Sequence, residues 1–202
     1  MTERRRRQSI RLPHYDYASP GACFVTICSR ERRPVFDSPE VRSLLEETWH
    51  EIPRHFQHVR MDEFVVMPNH VHGIIWILEG DGPSARHTLR ERRGVGAQHA
   101  APLPGPGVRP FVQPGSLGAI VRSFKAAAAR RINQTRGAPG ARIWQRNYYE
   151  RVVRDEDELR RVREYVRLNP LKWLFDRENL RRIADPHYEE EWAWLEGGQV
   201  TP

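Results

Sequence analysis

Cysteine is nearly absent from this 202-residue chain. Its two copies, Cys23 and Cys28, fall in one β-rich run at opposite parity, so on a strand they face opposite ways and make a poor disulfide or Cys-x-x-Cys site. They read as small buried hydrophobes. Long apolar runs are missing as well: none approaches the ~20 residues that cross a bilayer. The opening Arg4-Arg5-Arg6-Arg7 lacks the apolar stretch that a signal peptide carries behind its basic end. These absences argue against a disulfide scaffold, a membrane protein and an exported one, and predict a cytoplasmic protein. Acid is the minority charge, 26 Asp and Glu against 33 Lys and Arg for a net +7, which favours a polyanionic partner, nucleic acid before membrane. The length suits one domain with a single sizeable core and some extra segments.

What is present reads as a series of short elements. Residues 1–20 mix arginines with Pro13, Tyr15 and Tyr17 without periodicity, a basic arm. Gly21 to Ser29 is the first strand. Ser38-Pro39 supplies an N-cap and a first-turn proline for a helix that runs until Pro53. Val59 to Met67 and His70 to Leu78 are two strands joined by a tight Pro-Asn turn. Residues 79–115 shift to Gly, Pro, Ala and Arg and read as a mobile insertion, too poor in large apolar side chains to offset its ordering entropy. His87 and His99 lie there and are set aside as ligands. Ser116 starts a helix whose Leu117, Ile120, Val121, Phe124, Ala128 and Ile132 keep the 3.6 period, leaving Arg122, Lys125, Arg130 and Arg131 on other faces. That basic face is either a solvated surface or a phosphate contact. Ile143 to Val153 is a fourth strand with an irregular middle, and Asp155 to Glu158 caps a last major helix. Strand, helix, strand, strand, helix, strand, helix makes two split β-α-β units. The expected fold is α+β, a ferredoxin-like four-stranded antiparallel sheet with helices on one face, spanning 21–175 with a helical extension over 176–202.

Chemistry concentrates in two places. In Met67-Pro68-Asn69-His70-Val71-His72-Gly73-Ile74-Ile75 the two histidines share one face of a strand while Val71, Gly73 and Ile75 take the other. Two adjacent imidazoles form half of a divalent-metal site, or else a pair of hydrogen-bonded sheet histidines. In the last helix Leu159, Val162 and Val166 form an apolar stripe, with Tyr165 and Asn169 at its edge on consecutive turns. This pair either presents a phenol to a metal that the amide oxygen helps bind, or is a packing tyrosine and an ordinary helix end.

Four blocks then carry a resemblance: Met-Pro-Asn-His-Val-His at 67–72, Ser-Phe-Lys at 123–125, Trp-Gln-Arg-Asn-Tyr-Tyr-Glu at 144–150 and Glu-Tyr-Val-Arg-Leu-Asn-Pro at 164–170. In this order they resemble the single-tyrosine HUH transposases, and within them the REP-associated tyrosine transposases, from about Arg11 to Leu174. The resemblance implies that His70, His72 and Asn169 bind magnesium or manganese and that Tyr165 is the catalytic nucleophile. It implies a 5′-phosphotyrosine intermediate on single-stranded DNA, cut and rejoined at palindromic repeat hairpins by a nucleoid-associated monomer or homodimer. Tyr148 and Tyr149 are rival nucleophiles by type, better suited to core or base-stacking roles. Arg4, Arg5, Arg6, Arg7, Lys125, Arg130 and Arg131 are the candidate phosphate contacts. The alternative is a hairpin DNA- or RNA-binding protein on the same fold without catalysis. A water-using phosphodiesterase lacks a general base that the sequence can place beside the histidines.

Overall fold

A computed structural model of the chain describes residues 15–79 and 112–196. Strands form where β-branched and aromatic residues cluster: β1 over Gly21–Cys28, β2 over Val59–Val66, β3 over His70–Ile77 and a short β4 over Tyr149–Val153. They make one antiparallel sheet in the order β2-β3-β1-β4. The β2–β3 hairpin closes through Pro68 and Asn69, the Met67 N–H donating to the His70 carbonyl at 2.9 Å. The histidine strand is thus central, paired on both sides, with His72 opposite Thr26 and His70 opposite Cys28.

Helix α1 covers Pro39–His50, and the Ser38 hydroxyl accepts the Val41 N–H at 3.2 Å. It stops short of Pro53, which instead sits in the first turn of a short α2, Ile52–His55, where a missing N–H costs no helical hydrogen bond. Helix α3 covers Leu117–Thr135; Ser116 holds the N-cap position, but its hydroxyl donates to the Gln113 carbonyl. The fourth strand is shorter than its sequence suggests. Trp144 makes only an isolated bridge to Ser29, and the carbonyls of Gln145 and Arg146 accept from the Lys125 ammonium. Helix α4 spans Glu156–Leu168, where the Asp155 carboxylate accepts the Glu158 N–H at 2.8 Å, and α5 spans Pro186–Glu196.

The helices of the two split units, α1 and α3, share one face of the sheet. There Val25, Ile27, Val71 and Ile75 pack with Leu45, Trp49, Ile120, Phe124 and Ile132. Gly73 is dictated by this packing, since a Cβ at that position would lie 2.4 Å from the Trp49 ring. On the other face Ala22, Phe24 and Ile74 meet Leu159, Val162 and Val166 of α4 and Tyr188, Trp192 and Leu195 of α5. A bulge between Met61 and Phe64 accompanies a polar tie across this second face. Asp62 accepts from the Trp76 indole at 2.8 Å and twice from Arg163, at 3.0 and 2.7 Å, joining the hairpin to α4. Among the described residues no helix is long and apolar enough to cross a membrane.

Candidate functional site

Alternation along β3 sends His70 and His72 to the α4 side of the sheet, where both are fully buried. Their Nε2 atoms lie 2.9 Å apart. Each Nδ1 has a partner: Asn69 Oδ1 at 2.8 Å for His70 and Thr26 Oγ1 at 2.9 Å for His72. The Asn69 amide is oriented by its other end, whose Nδ2 donates to the carbonyls of Arg32 at 3.1 Å and Glu178 at 2.7 Å. Its Oδ1 therefore only accepts, so His70 is the Nδ1–H tautomer, with its Nε2 lone pair turned toward His72 Nε2 at hydrogen-bond distance. Burial first, then the nearby Arg32 charge, pushes the His70 pKa down to about 3. Burial and His70 push His72 well down against the opposing pull of Asp176. Both imidazoles are neutral at physiological pH, the form that ligates metals.

Two further groups complete the cluster. Asp176 is buried and offers a carboxylate oxygen within 4.8 Å of both imidazole ligand atoms. Its Oδ2 accepts from Asn169 Nδ2 at 2.9 Å and its Oδ1 from the Glu178 N–H at 2.7 Å. The other atom of the Asn169 amide, Oδ1, is buried with no hydrogen-bond partner, an arrangement that normally costs 1–3 kcal/mol, roughly. These residues fit a divalent cation. Two ligands at right angles with bonds of about 2.1 Å stand about 3 Å apart, close to the Nε2 spacing, and a cation would satisfy the orphaned amide oxygen. Two imidazoles, a carboxylate and an amide oxygen are a mixed nitrogen and oxygen donor set able to hold a divalent cation.

Tyr165 enters from α4. Its hydroxyl lies 3.5 Å from His72 Nε2, and its ring is buried between Phe24 at 5.8 Å and Trp192 at 5.0 Å, centroid to centroid. Burial first, then the Asp176 charge, raises its pKa well above the ordinary 10, so the phenol is protonated. The amphipathic turn positions of α4 put Tyr165 and Asn169, the C-cap residue, one above the other on the sheet-facing side. Helix α5 and the chain before it close the site from above: Trp192 and Tyr188 are buried, and the Trp173 ring lies 6.0 Å from His70.

The structure thus brings together His70, His72, Tyr165 and Asn169. It sends the described basic candidates elsewhere. Lys125, Arg130 and Arg131 lie on α3, which packs on the other face of the sheet. The Lys125 ammonium is engaged by two backbone carbonyls, with its pKa pushed down to about 8 by burial. Arg131 is engaged by Glu51 at 2.6 Å and Thr48 at 3.0 Å. Arg130 is exposed, and Arg4, Arg5, Arg6 and Arg7 lie outside the described residues. Asp176, Asn69 and Thr26 join the site without a strong signal in the sequence. Asn69 is flagged only by its place in the Pro-Asn-His turn, and Asp176 only as a carboxylate seven positions beyond Asn169.

No protein-family model matches the chain. An uncharacterised protein of Haemophilus influenzae is 36% identical over 181 residues, a match that covers 84% of this chain and 91% of that protein. Among solved structures, a REP-associated tyrosine transposase bound to a REP hairpin is 18% identical, with a TM-score of 0.52 over 81% of this chain and 73% of its own. A candidate transposase from Deinococcus radiodurans is 17% identical, with a TM-score of 0.41 over 78% of this chain and 95% of its own. At 18% identity the likeness to the hairpin-bound transposase is one of fold.

Proposed function

This chain belongs to one family with the Haemophilus influenzae protein, and we propose that it is a metal-dependent transposase that cuts and rejoins single-stranded DNA at palindromic hairpins through Tyr165. The observation that carries this reading is the Tyr165 hydroxyl 3.5 Å from His72 Nε2, beside a buried His70–His72–Asp176 cluster. The fold shared with a hairpin-bound transposase supports it. His70, His72, Asp176 and the unpaired Asn169 oxygen would hold magnesium or manganese, which supplies positive charge to the phosphate and polarises its P–O bonds. Asn69 and Thr26 fix the imidazole orientations. The Tyr165 oxygen attacks phosphorus in line; the P–O3′ bond breaks, and the departing 3′-oxygen takes up, in net, the phenol proton. The 5′-phosphate stays on Tyr165, so the phosphodiester energy is retained and a second 3′-hydroxyl reverses the step without ATP.

The burial of every group in the cluster means that α5, whose Trp192 lies on Tyr165, must shift for a phosphate to reach it. That same enclosure favours a second reading, a hairpin-binding protein without turnover. A labelled hairpin incubated with manganese separates the two on a denaturing gel. The proposal expects a protein–DNA adduct that disappears in EDTA, in Tyr165→Phe and in His70→Ala. Binding without an adduct selects the second reading, and cleavage without protein-bound DNA points to attack by water.

A further inference from the structure

Among the described residues five large apolar side chains stand out in solvent, and four of them fall within thirteen consecutive positions. Leu171 is 82% exposed, Leu174 57%, Leu180 68% and Ile183 58%; the fifth, Leu78 at 40%, lies just past the opposite end of β3 from His70. The segment is held in place. The Asp176 N–H donates to the Lys172 and Trp173 carbonyls, Asn179 Nδ2 donates to the Trp173 carbonyl at 3.0 Å, and the Ile183 N–H donates to the Leu174 carbonyl at 2.8 Å, setting 174 beside 183. Its inward side chains end at the site: the Asp176 carboxylate in the histidine cluster, the Trp173 ring against His70, and Glu178, which Arg32 grips at 2.5 Å. One short segment therefore supplies a site carboxylate on the inside and bare aliphatic surface on the outside.

We propose that this loop, residues 171–183, is the surface on which the unpaired nucleotides next to the broken phosphate lie. Leu171, Leu174, Leu180 and Ile183 lie against the base faces, and the exposed Arg181 lies at the backbone. The inference rests on the reading of the site as one that cuts DNA, and names where this chain receives the unpaired strand. Unpaired bases offer apolar faces that duplex bases hide in the stack, and aliphatic side chains insert against such faces. The excess of positive charge in the chain suits the same partner. A second copy of the chain fits less well: four side chains at these exposures present on the order of 500 Å², short of the roughly 800 Å² per partner of a stable dimer.

The test compares the full chain with a Leu174→Ser/Leu180→Ser/Ile183→Ser variant and with Arg181→Ala. Affinity is read by fluorescence anisotropy on a blunt DNA hairpin and on the same hairpin with single-stranded extensions. The triple variant should lose about tenfold or more on the extended hairpin and little on the blunt one, the size expected of one or two lost base contacts. Arg181→Ala should weaken the extended probe in the same selective way. Unchanged binding of the extended hairpin overturns the assignment and leaves the reading of the site standing; wild-type protein that binds neither probe removes both. Light scattering that shows a wild-type dimer and a monomeric variant makes the patch an interface between copies, and the inference fails. A readout that depends on no variant is photocrosslinking from bromodeoxyuridine in the extension: peptides within 171–183 should carry the crosslink, and crosslinks confined elsewhere contradict it.

Discussion

Which nitrogen of His70 faces the cluster is decided by one amide. Asn69 spends its Nδ2 on two carbonyls 37 and 109 positions away in sequence and its Oδ1 on His70 Nδ1, so it ties the hairpin turn to the segments on either side while presenting the Nε2 lone pair. Asn69→Ala should therefore leave both histidines in the chain yet weaken manganese binding by roughly 10- to 100-fold, the usual effect of losing a group that orients a ligand. Titration followed by manganese paramagnetic resonance measures this, and an unchanged affinity would detach the cluster from the metal. The histidine pair and the Tyr165–Asn169 pair were legible in the sequence because strand and helix periodicities fix faces whatever the rest of the chain does. Asp176 was not, since it lies in an irregular turn with no period to place it. The engagement of Lys125 and Arg131 was hidden for a related reason: a basic residue on a helix face looks the same whether its partner is solvent, phosphate or a carbonyl of the same chain.

At the scale of elements, the sheet is clamped differently on its two faces. On the α1 side the clamp is steric. Gly73 leaves room for the Trp49 ring, which stacks on Phe64 at 4.4 Å; Gly73→Ala pushes a methyl into that ring and should cost about 1–3 kcal/mol, readable as a lower urea midpoint. On the α4 side the clamp is polar and pH-dependent. Burial alone would raise the Asp62 pKa, but hydrogen bonds from Arg163, the Trp76 indole and the Glu63 N–H outweigh it and hold the carboxyl at about 2 instead of 3.8. A folded pKa below the unfolded one means stability that is complete above about pH 4 and is lost as pH falls toward 2. Urea unfolding across that window should show a slope that Asp62→Asn flattens; an equal slope in both proteins would leave the Asp62–Arg163 tie without weight. The element order was readable from caps and periodicity, and the split units landed as expected. Two boundaries were not. Pro53 opens a new turn instead of merely ending a helix, and the Trp-Gln-Arg block is drawn out of the sheet by Lys125, a tertiary contact that no local pattern announces.

Across the whole molecule, the chain after α4 turns an open half-site into an enclosed one. It donates Asp176 to the histidines, lays Trp192 on Tyr165, and returns the Tyr149 hydroxyl to the Leu195 carbonyl. Trp173, Trp192 and Trp194 lie in that region, and no local pattern says where they pack, because α5 has no strongly one-sided apolar pattern and its position depends on partners in β1, β4 and α4. The same enclosure brings a second phenol close: Tyr188 is buried near Tyr165, and burial raises its pKa too. Tyr148 and Tyr149 remain chemically competent by residue type. Digesting the adduct formed with a manganese-activated hairpin and locating the attached nucleotide by mass spectrometry is therefore the most direct measurement. The account predicts a 5′-phosphodeoxynucleotide on Tyr165 alone; attachment at Tyr148, Tyr149 or Tyr188, or the absence of any attached nucleotide, contradicts it.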